Sequence, residues 1–141
     1  SSTQDILSHL TACDKAFVPA LSTRTDLPTY AEKLQTTSVR FEAWHEALLV
    51  GLVAAYCNAP DRGTGFVSSV SVLTAFAGQG IARNLMSNCI THARYMELSQ
   101  LALEVSTDAH AALRLYEGLG FHPADHLSKE DSTLRLVRGL T

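Results

Sequence analysis

The chain of 141 residues and 15.3 kDa has the length of one domain, read here as residues 1–141, and leaves little room for a second. Its 46% hydrophobic and 18% charged residues suit a packed core and exclude a disordered chain. Eleven basic against fourteen acidic side chains give a net charge of −3, which argues against a general nucleic-acid binder.

In chain order, Ile6, Leu7 and Leu10 fall at helical spacing within residues 3–13, and Tyr30, Ala31 and Leu34 do so within residues 28–36 after Asp26. Two short helices joined by a loop containing Arg24 are expected. The period then changes. Val39, Phe41 and Ala43 alternate with Arg40, Glu42 and Trp44, and the apolar run Leu48 to Cys57 follows His45-Glu46-Ala47, a β-hairpin pattern. The turn residues between Asn58 and Gly63 close that unit. A β-rich run, Phe66 to Leu73, leads through a loop with Gly78 and Gly80 into an amphipathic helix reaching about Glu97. Leu101 to Val105 reads as the next strand, Asp108 to Leu119 as a helix stopped by Gly120, and residues 121–126 and 133–138 as two closing strands. The order predicts an α/β (mixed α+β) domain with at least one βαβ crossover, its central mixed twisted sheet flanked by helices.

Cys13, Cys57 and Cys89 are odd in number and widely spaced, so neither a disulfide framework nor a CxxC motif is available, and a reducing, cytoplasmic setting is the expectation. The ten residues from Leu48 to Cys57 are half of the roughly 20 a membrane helix needs, so no membrane partner is expected. The six histidines lack H-x-x-x-H and H-E-x-x-H spacing, and no metal is expected.

The segment Phe76-Ala-Gly-Gln-Gly-Ile-Ala-Arg83 stands between a strand and a helix. Glycines there let backbone N–H groups approach an anion, and the helix start adds roughly half a positive charge. A P-loop is rejected, because neither Lys nor Ser/Thr follows Gly80 at the required spacing. A dinucleotide fingerprint fits Gly78 and Gly80, with Glu104 as the ribose-binding acid, but Arg83 replaces its third glycine and too little chain remains for a second mononucleotide half.

Ala77-Gly-Gln-Gly80-Ile-Ala82, preceded by Val70-Ser-Val72, resembles the acetyl-coenzyme A loop of the Gcn5-related N-acetyltransferase (GNAT) family, and Leu103-Glu-Val105 with Ala112-Leu-Arg-Leu-Tyr116-Glu-Gly-Leu-Gly120-Phe121 resembles that family's second motif. The likeness implies a GNAT-like fold and a cytoplasmic N-acetyltransferase that takes acetyl-CoA as cosubstrate and a primary amine, of a small molecule or a protein N-terminus, as acceptor. It further implies that backbone groups along Val70, Ser71 and Val72 pair with the pantetheine arm, and that the N–H groups of Gly78, Gln79, Gly80, Ile81 and Ala82 hold the pyrophosphate, Arg83 adding charge. Two positions depart from the family pattern: Ala77 stands where Arg or Gln is usual, and Ala109 where Asn is frequent. Dimers are common in the family, so a homodimer stays open. The alternative on the same fold is a non-catalytic acyl-CoA binding or sensing domain.

Acetyl transfer to an amine needs a neutral nucleophile, donors for the developing oxyanion and a proton for the departing thiolate. By resemblance Tyr116 is the acid. Glu104 is the candidate base: it alternates with Leu103 and Val105 along a strand, where a carboxylate without a partner or a use is costly. The alternative is a structural Glu104 bonded to backbone or arginine. Arg24, beside Ser22 and Thr23, is either a solvated loop residue or a contact for an anionic group on the acceptor. Trp44 and His45 are either hairpin packing, an acceptor wall or a dimer contact, and Cys57 is read as a small buried hydrophobe.

Overall fold

A computed structural model describes residues 1–17, 20–58, 63–124 and 133–140. Helix α1 (Thr3–Cys13) starts on a capping box, in which the Ser2 hydroxyl accepts from the Asp5 N–H and the Asp5 carboxylate accepts from the Ser2 N–H. Helix α2 (Leu27–Thr37) is capped by Asp26, with Pro28 in its first turn where no N–H is needed. Strands β1 (Val39–His45) and β2 (Leu48–Tyr56) form the expected antiparallel hairpin. Next come β3 (Thr64–Val72), α3 (Ile81–Tyr95), β4 (Gln100–Ser106), α4 (His110–Gly118), the two-residue β5 (His122–Pro123) and β6 (Thr133–Gly139). The expected strand over 121–126 is thus confined to two residues among those described, and most of the turn between Asn58 and Gly63 lies outside the described residues.

These strands form one mixed sheet of order β1-β2-β3-β4-β6-β5. β2 is the apolar run, and seven of its residues from Leu49 to Ala55 are buried, because helices cover it on both sides. On one face α3 and α4 enclose Val53, Val67, Leu85, Met86, Cys89, Leu103 and Leu136. On the other, α1 and α2 lay Ile6, Leu10, Ala31 and Leu34 over Leu52 and Ala54. The three cysteines are buried thiols, Cys57 among them.

Two irregularities in β3 position everything that follows. First, Ala54 pairs with Ser69 while Ala55 pairs with Val67, so Ser68 is an extra residue, a β-bulge. Second, β3 runs parallel to β4 only from Thr64 to Phe66, opposite Gln100 to Ala102. Beyond Phe66 the two strands separate, while β4 stays paired to β6 along its whole length. The sheet is therefore split in its middle, and the facing edges carry backbone groups that no ladder uses.

Candidate active site

The split opens into a cavity of about 470 Å³ bordered by Val67 to Val70 of β3 and Leu103 to Ser106 of β4. Ala109, Ala112 and Tyr116 close it from α4, and Arg24, Tyr30 and Lys33 flank it from the α2 side. A smaller hollow of about 170 Å³ lies beside it, bounded by Cys13, Phe17 and Val70 to Val72.

Tyr116 is 7% exposed, and burial pushes its phenol up to about 12, so it is protonated at every physiological pH. Its placement follows from how α4 ends. Gly120 adopts φ +94°, Phe121 donates its N–H to the Tyr116 carbonyl at 3.0 Å, and Gly120 donates to that of Glu117 at 3.0 Å. This is a Schellman cap, and the apolar contact that accompanies such caps is the edge-on packing of Tyr116 against Phe121, ring centres 6.0 Å apart. A Cβ on residue 120 would also press on Arg138 Nε at 3.2 Å.

Glu104 lies on the opposite face. It shares the α1/α2 side of β4 with Ala102 and pairs across the ladder with Arg135, whose guanidinium is 3.9 Å from its carboxylate. Both side chains are about half exposed, at 53% and 45%. The expectation of a carboxylate confined inside the sheet is corrected here: beyond Phe66 β3 separates from β4, and Glu104 is left half exposed beside Arg135. It still borders the same cavity as Tyr116, reached from the other side.

At the far end of β3, a short 3₁₀ turn (Thr74–Phe76) leads to the glycine loop. Gly78 and Gly80 take φ +79° and +78°, and nothing lies within 4 Å of the space a Cβ would fill at either. Gly80 is the N-cap of α3 and no side chain caps that end, so the N–H groups of its first turn point outward unclaimed by side chains. Ala77, Gly78, Gln79 and Gly80 are exposed. The Arg83 guanidinium is turned aside: it donates to the Gly118 carbonyl at 3.5 Å, at the C-terminal end of α4.

Several residues were not singled out in the sequence. The Tyr30 hydroxyl donates to the Ser68 carbonyl at 3.2 Å and bonds the Ser68 hydroxyl, clasping the bulge, and burial raises its pKa against the opposing effect of the Ser68 hydroxyl. His9 is buried between Leu49 O, 2.9 Å from Nδ1, and the Ser71 hydroxyl, 2.8 Å from Nε2, with burial lowering its pKa. The Ser71 side chain is thereby occupied, leaving backbone groups as that residue's contribution to the split edge. The signal for the bulge was present: apolar residues hold the α3/α4 face at Val67, then at Val70, and the doublet Ser68-Ser69 marks the one-residue slip. His9 and Tyr30 had no such signal, since their partners lie 40 and 38 positions away. Trp44 is 42% exposed on edge strand β1 and does not border the cavity, while His45 packs on Phe76, ring centres 5.4 Å apart, just before the glycine loop.

Residues 4–121 match the model of the Acetyltransferase (GNAT) family, and the chain belongs to that family. It is 33% identical over 60 residues to N-alpha-acetyltransferase 30 of Saccharomyces cerevisiae, a match covering 43% of this chain and 34% of that protein, so the chain spans about a third of its curated relative. Among solved structures, the ribosomal-protein-alanine N-acetyltransferase of Brucella melitensis superimposes with a TM-score of 0.78 at 20% identity, covering 99% of this chain and 97% of that one. The yncA protein of Salmonella typhimurium, whose structure holds acetyl-CoA, gives 0.79 at 16% identity over 100% and 91%. These structural likenesses concern the fold.

Proposed function

We propose that this chain transfers an acetyl group from acetyl-CoA directly to a primary amine. The observation that carries the reading is the split between β3 and β4, with Tyr116 bordering it on one face, Glu104 on the other, and the glycine loop at its open end. Two substrates approaching from opposite faces meet in such a gap. That geometry favours direct transfer over a relay through a protein nucleophile.

The residues present fit the cosubstrate. The open space at Gly78 and Gly80, and the N–H groups of Gly78, Gln79, Gly80, Ile81 and Ala82 at an uncapped helix start, suit a pyrophosphate held by backbone rather than by a charged side chain. This is how a chain of net charge −3 accommodates an anionic ligand. Arg83 would act mainly by fixing α4 to α3. Unladdered backbone of Val70, Ser71 and Val72 offers amide partners to the pantetheine arm. Acetyl-CoA, when bound, supplies a thioester-activated acetyl group. Glu104, on the water-accessible face, accepts the proton of the incoming ammonium directly or through water. Tyr116, neutral and buried on the cofactor face, is placed to return a proton to the sulfur as the thiol leaves. The acceptor is an amine of a small molecule or of a peptide N-terminus, the latter in keeping with the names of the yeast and Brucella relatives.

A panel of amines incubated with protein and acetyl-CoA, followed by release of free thiol, tests this. Thiol release that requires both amine and protein is expected. Calorimetric binding of acetyl-CoA with no thiol released from any amine would instead make the chain an acyl-CoA sensor.

A further inference from the structure

The α2 side of the cavity carries two cations that the proposed transfer chemistry does not use. Arg24 and Lys33 both border the cavity, both are exposed, and among the described residues neither forms an ion pair. Two carboxylates flanking Arg24 in sequence, Asp14 and Asp26, are engaged elsewhere. Asp14 accepts from the N–H and the hydroxyl of Ser22, each at 2.7 Å, and Asp26 accepts from the N–H and hydroxyl of Thr29. Glu104, the one acidic residue bordering the cavity among the described residues, is matched by Arg135. Lys33 is held over the Tyr56 ring with its ammonium 5.7 Å from the centroid, a position that keeps it facing this side of the sheet.

One buried hydroxyl without a hydrogen-bond partner among the described residues borders the same cavity. Ser69 is 5% exposed and borders the cavity, and its Oγ makes no hydrogen bond among the described residues. A buried hydroxyl left unpaired is unfavourable, so this group points to a polar ligand atom that satisfies it. The arrangement is therefore bipolar. A carboxylate awaits the amine at Glu104, while Arg24, Lys33 and the Ser69 hydroxyl await oxygen atoms.

Resting on the acetyltransferase reading, we infer that the acceptor is a primary amine that also carries an oxyanion, a carboxylate or phosphate, received by Arg24 and Lys33. Neutral amines and polyamines lack the group these side chains would bind, and a second ammonium there would be repelled.

The test compares kcat/KM for β-alanine, phosphoethanolamine, propylamine and putrescine, measured by thiol release from acetyl-CoA. Hydrogen bonds to charged groups predict an advantage of about tenfold or more for the anionic amines, the first two separating carboxylate from phosphate. Arg24→Gln and Lys33→Gln should each raise KM for the preferred anionic amine severalfold, with KM for acetyl-CoA unmoved, and Arg24→Lys should recover part of the loss. Equal use of propylamine or putrescine, or a rise in KM for acetyl-CoA instead, overturns the inference while leaving acetyl transfer intact. Thiol release from no amine at all overturns the transferase reading and the inference with it.

Discussion

Tyr116 combines two properties that a structural tyrosine need not have together: it is 7% exposed, and it borders the cavity at the split. Its phenol, raised to about 12 by burial, stays protonated across the working range, so the proton is available wherever the amine is deprotonated. Tyr116→Phe keeps the ring that packs on Phe121 and removes only the hydroxyl proposed as the acid. It is expected to lower kcat by about a hundredfold or more, within the range general acids contribute, with acetyl-CoA affinity and Tm nearly unchanged; an unaltered kcat measured by thiol release would remove Tyr116 from the chemistry. Glu104→Gln should lower kcat and alter the acidic limb of the pH–rate profile. If that limb is superimposable on the wild-type one, water or another group is the base. Strand alternation singled out Glu104 and the family resemblance Tyr116, and the structure brings both to the border of one cavity. The half exposure of Glu104 was not legible in the sequence, because the strand separation beside it depends on a parallel pairing that stops after Phe66, opposite Ala102.

At the scale of elements, the cap of α4 and the anchoring of α1 yield separate predictions. Gly120→Ala forces a side chain into a left-handed conformation and against Arg138, at a cost of about 1 kcal/mol or more. Because Tyr116 is the residue whose carbonyl closes that cap, kcat should fall along with Tm, whereas a loss of Tm alone would uncouple the cap from the site. His9 ties α1 to β2 and β3 through Leu49 and Ser71. Its pKa is depressed by burial from the usual 6.5, so the unfolded chain takes up the proton first as pH falls. The stability His9 contributes is thus full above pH 6.5 and declines below it toward its lowered native pKa. Thermal unfolding followed from pH 7.5 to 5 should show a falling Tm, and His9→Gln should flatten the slope; an equal slope in the variant would assign the decline elsewhere. The start of α2 and the end of α4 were readable because Asp26 and Gly120 are local start and stop signals, and the hairpin because its residues alternate with period two. The Tyr30 clasp on Ser68 was not, since it joins a helix to a strand 38 residues later, although the serine doublet carried the bulge itself.

For the whole molecule, the sheet order β1-β2-β3-β4-β6-β5 places the split at its centre, with one core on either side. A ligand that bridges β3 and β4 replaces the missing ladder and should stabilise the native state by mass action. At a hundredfold excess over Kd, acetyl-CoA is expected to contribute about 2.7 kcal/mol, a rise in Tm of about 10 °C for a chain of this size. NAD should give none, and stabilisation by NAD in place of acetyl-CoA would restore the dinucleotide reading of Gly78 and Gly80. The net charge of −3 is no obstacle, since the groups proposed to hold the anion are backbone amides at the start of α3. The most direct measurement of the central claim mixes protein, acetyl-CoA and an amine, and quantifies free thiol and N-acetylated amine together over time. Equal amounts of both, with none of either when amine or protein is omitted, are predicted; bound acetyl-CoA that yields neither product, or thiol released without acetylated amine, would contradict it.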